Sequence, residues 1–363
     1  MKEYIVVIGG YGHVGQTICR ELGELYPGKV YAAGRSLERA EQFTRTTDGR
    51  VRPLQIDMKE GFDPNFTNRV KLVIMCLDQT DITFVRYCFK NRIHYVDVSA
   101  NHSFLTQVEG LQSEARANGT TAVLSIGLAP GLTNLMSLHA KNLMDQVDNI
   151  DISIMLGMGD QHGKAAIEWT VDNLGMNFDV VKEGRKVTVA SFTEAIKTDF
   201  GARLGRRKAY RFNFSDQHVL PRTLGVPSVS TRLCFDSSAV TGLLAWLRMT
   251  GMFRLLKLNP IRYATVQLFG KMRFGKDLYA VKIDARGKKD QKDVWVEYFL
   301  QGRNEAQITA KVAASVADIV YRSELQHGVY HIEQLFELDR ILHPIIQEVT
   351  FETRFNGEVH SPY

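Results

Sequence analysis

Tyr4-Ile5-Val6-Val7-Ile8-Gly9-Gly10-Tyr11-Gly12-His13-Val14-Gly15 is an apolar run that passes directly into G-x-G-x-x-G. That order predicts a buried strand, a tight turn and the opening of a helix. The three motif glycines serve different ends, since Gly10 permits the turn, Gly12 lets backbone approach a pyrophosphate, and Gly15 lets the helix pack closely on the strand. The helix that opens near Gly12 turns its unpaired N–H groups toward an anion. Tyr11, His13 and Val14, which fill the motif, are expected beside the cofactor with the glycines. Ile18, Leu22 and Leu25 continue at helical spacing, and Lys29 to Ala33 reads as the next strand.

The end of that second strand selects the dinucleotide. A carboxylate there would bond the ribose hydroxyls and repel a 2′-phosphate. The residues are instead Gly34-Arg35-Ser36. Arg35 offers a planar, permanent cation and Ser36 a hydroxyl, so NADP(H) is expected over NAD(H). Ser36 also suits the cap of a helix from Leu37 to Phe43, and the two roles are compatible.

Strand and helix patterns alternate through the first third of the chain. Val51 to Ile56, Leu72 to Cys76, Tyr95 to Val98 and Thr121 to Ser125 read as strands, with helices at Asp81 to Asn91 and His102 to Ala117. This is the pattern of a doubly wound parallel α/β sheet. Ligands in such sheets gather at the carboxyl ends of the strands, which nominates Leu77, Asp97, Ser99, Leu128 and Pro130. Beyond about residue 150 the pattern becomes α+β. Strands are expected at Ile150 to Leu156 and Val229 to Phe235, with a long hairpin at Leu278 to Ala285 and Asp293 to Leu300, then helices at Glu305 to Leu325 and Ile332 to Leu342. Arg286-Gly287-Lys288-Lys289-Asp290 belongs to the hairpin tip.

With 363 residues, 44% hydrophobic content and a net charge of +5, the chain has the composition of an ordinary two-domain enzyme. Its basic residues are dispersed, so an anionic small molecule accounts for the bias and no nucleic-acid partner is expected. Four cysteines without paired spacing point to reduced thiols, with no zinc or other metal site. A strand within the first residues leaves no space for a signal peptide, and a cytoplasmic location is expected. Ala239 to Leu268 is amphipathic and interrupted by Arg248, Arg254, Lys257 and Arg262; it is expected to form core or subunit-interface helices of a homodimer rather than to meet a membrane.

The chain resembles the saccharopine dehydrogenase-like family of NAD(P)-dependent oxidoreductases. The resemblance rests on the glycine motif, on Tyr95-Val96-Asp97-Val98-Ser99, and on Ile126-Gly127-Leu128-Ala129-Pro130-Gly131-Leu132-Thr133-Asn134. Trp169-Thr170-Val171-Asp172-Asn173 and the run Val312 to Val329 add to it. It implies a Rossmann domain over residues 1–130 joined to an α+β substrate and dimerisation domain, similar to that of dihydrodipicolinate reductase, over 131–325. A C-terminal segment, 326–363, would pack back on the Rossmann domain. The Asp97 segment resembles the lysine 6-dehydrogenase pattern, but Asn101 stands where that pattern often carries histidine.

The resemblance implies hydride transfer between nicotinamide and a carbon that bears nitrogen or belongs to a conjugated acceptor. Asp97 could stabilise an iminium electrostatically, or cap the following helix. His162, in Gly159-Asp160-Gln161-His162-Gly163-Lys164, and His218 are candidate proton donors. Arg211, Arg222 and Arg232 are candidates for a substrate carboxylate, and Trp169 for an aromatic wall. The expected activity is an NADP(H)-dependent dehydrogenase or reductase acting on a small amino-acid-derived imine or secondary amine. An enoyl reductase acting on an acyl intermediate and a non-catalytic NADP sensor or scaffold are the alternatives.

Overall fold

The computed structural model describes residues 2–160, 163–271 and 275–360. It divides into two units, the first comprising residues 1–132 and 306–336, the second 133–305 and 337–363.

In the first unit, short apolar runs bury both faces, as parallel sheets require. Six strands come from the N-terminal part: β1 (Tyr4–Ile8), β2 (Val30–Gly34), β3 (Val51–Gln55), β4 (Val70–Met75), β5 (His94–Asp97) and β6 (Thr121–Leu124). The spatial order is β3-β2-β1-β4-β5-β6, and Gly328–His331 adds a seventh strand beside β6. Every pairing is parallel. Strand order therefore reverses between β1 and β4, which opens a crevice at their carboxyl ends. Helix α1 (His13–Leu25) buries Gly15, Ile18, Cys19 and Leu22 against the sheet, and α2 (Leu37–Thr44) follows β2. The helical run expected from His102 to Ala117 is two helices, His102–Glu109 and Gln112–Ala117.

The helix Glu305–Arg322 buries a face of Ile308, Val312, Val316 and Ile319. From Ala306 onward it belongs to the first unit, whereas residues 337–363 belong to the second. Boundaries at 130 and 325 are corrected accordingly. The physical reason lies in pairing: Gly328–His331 completes the parallel sheet, and Val349–Phe355 pairs with Lys292–Arg303. Two buried bonds fasten the returning chain to the end of β6. Thr309 Oγ1 accepts from the Leu128 N–H at 3.0 Å, and His331 Nδ1 lies 2.8 Å from Ser125 Oγ. His331 Nε2 in turn meets Glu109 at 2.7 Å.

The second unit holds an eight-stranded sheet. Its centre is Gln146–Leu156, flanked by Val229–Phe235 and the hairpin Leu278–Lys289 and Lys292–Arg303. Asp290 and Gln291, both at positive φ, make the two-residue turn at the hairpin tip. The region 239–268 forms Ser238–Met249, a 3-10 segment Met252–Lys257, and Asn259–Lys271. Thr241, Leu244, Ala245, Phe253 and Val266 face inward, but most of its large apolar side chains are exposed, so of the two expectations, core or subunit-interface helices, the core one is corrected.

Candidate active site

The turn after β1 is held by steric necessity. A Cβ at Gly15 would stand 2.2 Å from the Gly9 carbonyl oxygen, and one at Gly10 would stand 2.7 Å from the Ala32 Cα. Neither position has room for a methyl group. Gly12 differs: among the described residues beyond its chain neighbours, a Cβ there meets the Gly9 oxygen at 3.0 Å and no other atom within 4 Å. Gly12 caps α1 without a side-chain bond, and the first turn contains no acid. The N–H groups of His13, Val14 and Gly15 therefore meet the positive end of the helix dipole at an uncovered surface, which fits a bound pyrophosphate.

At the end of β2 the chain builds a cationic corner. Tyr11 crosses over Gly34, whose hypothetical Cβ would lie 2.4 Å from the phenolic oxygen, and that oxygen accepts from the Ser36 N–H at 3.1 Å. Ser36 Oγ accepts from the Arg39 N–H at 3.3 Å, so it caps α2. Arg35 is exposed, and its carbonyl accepts from Gln55 Nε2 at 3.1 Å. Arg39, one turn on, places its guanidinium 4.9 Å from the Tyr11 ring centroid. Sequence reasoning missed Arg39; the signal was a second arginine in the first turn of the helix that follows β2. Arg35, Ser36 and Arg39 follow β2 with no carboxylate directly after the strand, a donor set that fits a 2′-phosphate.

Across the switch point, Leu77 is 40% exposed and its side chain lies against Gly9, where a Cβ would come within 2.9 Å. Asp97, at the end of β5, is fully buried. Its Oδ2 accepts from the Tyr95 hydroxyl at 2.5 Å and its Oδ1 from the Ser99 N–H at 2.7 Å. Gln79 Nε2 donates to the same hydroxyl at 2.6 Å. Burial pushes the Asp97 carboxyl up to about 7, against the Tyr95 and Ser99 bonds that lower it. The helix cap is Asn101, which accepts from the Ser103 and Phe104 N–H groups, so the capping role considered for Asp97 is corrected. With both oxygens engaged inside the fold, Asp97 ties the loops after β4 and β5 together. Ser99 and Pro130 are also buried, and Leu128 has 1% exposure with its N–H committed to Thr309.

In the second unit, Arg211 and Arg232 are direct neighbours across an antiparallel pair. Arg232 bonds Asp151 at 2.8 Å and the Glu194 carbonyl at 3.2 Å. Arg211 bonds the Glu194 carboxylate at 3.1 Å, and its Nη1 is buried without a hydrogen-bond partner. Burial and the adjacent Arg232 lower the Arg211 pKa. Arg222, by contrast, is exposed at the end of the helix Asp216–Thr223, and its Nε donates to the His218 carbonyl at 3.4 Å, so it does not join the pair. Trp169 is half-buried, with its ring centroid 5.5 Å from Phe212 and 5.2 Å from Phe214. His218 bonds Asn213 at 2.7 Å, and His162 lies outside the described residues.

Residues 5–123 match the family model of the saccharopine dehydrogenase NADP-binding domain. The N-terminal domain is a saccharopine dehydrogenase NADP-binding domain. The cofactor is accordingly NADP(H), and the chain is an NADP-dependent oxidoreductase whose N-terminal third is similar to that family's nucleotide-binding domain. Among solved structures, apo saccharopine dehydrogenase (L-Glu forming) from Saccharomyces cerevisiae superposes with a TM-score of 0.68 at 13% identity, covering 97% of this chain and 100% of that one. This likeness carries the fold across both units. DAP dehydrogenase from C. glutamicum, in complex with DAP, matches with a TM-score of 0.47 at 12% identity, covering 96% of this chain and 99% of that one.

Two glycines should respond in opposite ways. Gly12→Val should leave the circular dichroism spectrum and melting temperature close to those of the parent and abolish NADPH binding. Gly15→Ala should lose about 1–3 kcal/mol of stability, or more, because the turn cannot yield the missing space. Thermal melts and NADPH titrations of both variants check this. For Asp97, the raised pKa means that the folded state holds a proton more tightly than the unfolded state. The resulting stabilisation is complete below the ordinary value of 3.8 and is lost as pH rises through about 7. Relative to Asp97→Asn, the parent should therefore lose up to about 4 kcal/mol between pH 4 and pH 8, measured by denaturant melts across that range.

Proposed function

We propose that this oxidoreductase reduces a carbon–nitrogen double bond in a small amino-acid-derived substrate, or runs the reverse oxidation of a secondary amine. Bound NADPH supplies hydride to the carbon while nitrogen takes a proton. The observation that carries the reading is the Arg211 Nη1 group, buried, unpartnered and beside Arg232. A buried guanidinium N–H without an acceptor is costly, and a substrate carboxylate is the acceptor whose geometry matches its planar fork. Arg232, anchored by Asp151 and the Glu194 carbonyl, would hold the pair in register and raise the local positive potential. Trp169, set on Phe212 and Phe214, would supply an apolar wall.

In this reading the first unit's groups bind the cofactor. The open face above Gly12 and the N–H groups of His13, Val14 and Gly15 hold the pyrophosphate, while Arg35, Ser36 and Arg39 take the 2′-phosphate. Leu77 gives an apolar surface beside the glycine turn. Asp97 acts as a positioning residue: through Tyr95, Gln79 and Ser99 it fixes the two loops that flank the crevice. His162 is the candidate proton donor, which His162→Asn tests through the pH dependence of the rate.

NADPH should bind at least tenfold more tightly than NADH, since charge-assisted bonds to the 2′-phosphate contribute about 1.5–3 kcal/mol. Replacing Arg35 and Arg39 together by Ala should remove that preference and leave NADH affinity nearly unchanged in fluorescence titrations. For the substrate, Arg211→Lys keeps the charge and loses the fork. It should raise KM for a carboxylate-bearing imine at least tenfold with unchanged NADPH affinity, and an unaltered KM would remove Arg211 from the substrate site.

A further inference from the structure

From Ser237 to Lys276 the sequence runs for 40 residues without a single Asp or Glu, and carries seven Lys or Arg. The segment folds as the two helices Ser238–Met249 and Asn259–Lys271 with the 3-10 segment Met252–Lys257 between them. Its inward face is already satisfied by Leu244, Ala245, Phe253 and Val266, all buried. Its outward face is also apolar. Nine of the fourteen large hydrophobic side chains exposed among the described residues fall between 243 and 268, including Trp246 at 54%, Met249 at 84% and Tyr263 at 65%. A soluble surface would scatter such residues, and a contiguous group marks a contact.

The charges identify the partner. Arg262 is neutralised by a bidentate bond to Asp172, at 2.5 and 2.7 Å, and Arg248 is spent on the Gly175 carbonyl and Asn177. Arg254, Lys257 and Lys271 are exposed, and no described carboxylate lies within ion-pair distance of them. A second copy of the chain would bring the same acid-free patch against itself across a two-fold axis, setting cation against cation. A surface of anionic phospholipid complements both features, because acyl chains accept Trp246, Leu255 and Tyr263 while headgroups meet Arg254 and Lys257. No described helix is long and apolar enough to cross a membrane, which leaves an in-plane mode.

We propose that the segment 238–271 is a membrane-surface docking site that seats this oxidoreductase on anionic lipid. The full-length protein is incubated with vesicles of phosphatidylcholine alone and of phosphatidylcholine with phosphatidylglycerol, then sedimented at low and high salt. At least tenfold stronger partition to the anionic vesicles is expected, weakened by salt, with a blue shift of tryptophan emission that Trp246→Ser removes. Arg254→Glu with Lys257→Glu should reduce partition at least tenfold, and NADPH affinity should stay unchanged in both variants as the sign of an intact fold. Equal partition to both vesicle types, or none to either, overturns the proposal. So does a dimer, detected by light scattering, that Leu255→Glu and Trp246→Ser dissociate, since that result assigns the face to a second copy.

Discussion

The absence of side chains at Gly10 and Gly15 is the constraint on which the nucleotide domain depends. With the Gly9 carbonyl 2.2 Å from where a Cβ of residue 15 would stand, α1 can descend onto β1 only as this sequence allows. That close approach aims the first turn of α1 at the space above Gly12. From it follow the crevice between β1 and β4, the position of Leu77 against Gly9, and the reach of Tyr11 across Gly34 to the Ser36 N–H. The anion cradle and the 2′-phosphate corner are thus consequences of one packing requirement, with Arg35 and Arg39 adding the charge.

Most of this domain is legible in the sequence because its inner strands are buried on both faces, so short apolar runs ending in Gly, Asp or Ser stand out. The same signal fails where a strand is half-polar. Arg206–Arg211, with the sequence Arg-Arg-Lys-Ala-Tyr-Arg, has no apolar run to mark it as a strand, yet it pairs with Val229–Phe235 and buries Arg211. Gly328–His331 is four residues long, too short for periodicity, and is a strand because Thr121–Leu124 offers it an edge. Helical spacing over Ala165 to Phe178 overreaches for a related reason. The helix stops at Leu174, and Asn177–Lys182 pairs with Arg185–Ala190 as a separate hairpin.

Candidate site residues divide along the same line. Those placed by a local motif, Gly10 to Gly15, Arg35 and Ser36, stand where the spacing puts them. Asp97 sits at the expected strand end, but its environment comes from Tyr95, Gln79 and Ser99, and no linear pattern reports that three groups will close around a carboxylate. The Arg211 and Arg232 pairing depends on strand register between segments about twenty residues apart. Arg222 has the same chemistry and a similar sequence neighbourhood, yet falls on an exposed helix end. Residue type was readable; company was not.

Binding and chemistry together make the central claim, which is that hydride passes between NADP(H) and a carbon bearing nitrogen. Its most direct measurement is single turnover with NADPH deuterated at C4, using a panel of imines formed from amino acids and oxo acids, with mass analysis of the product. The account predicts a secondary amine carrying one deuterium on the carbon adjacent to nitrogen. Deuterium transfer only to an enoyl thioester, or a protein that binds NADPH and transfers hydride to no member of either class, would contradict it.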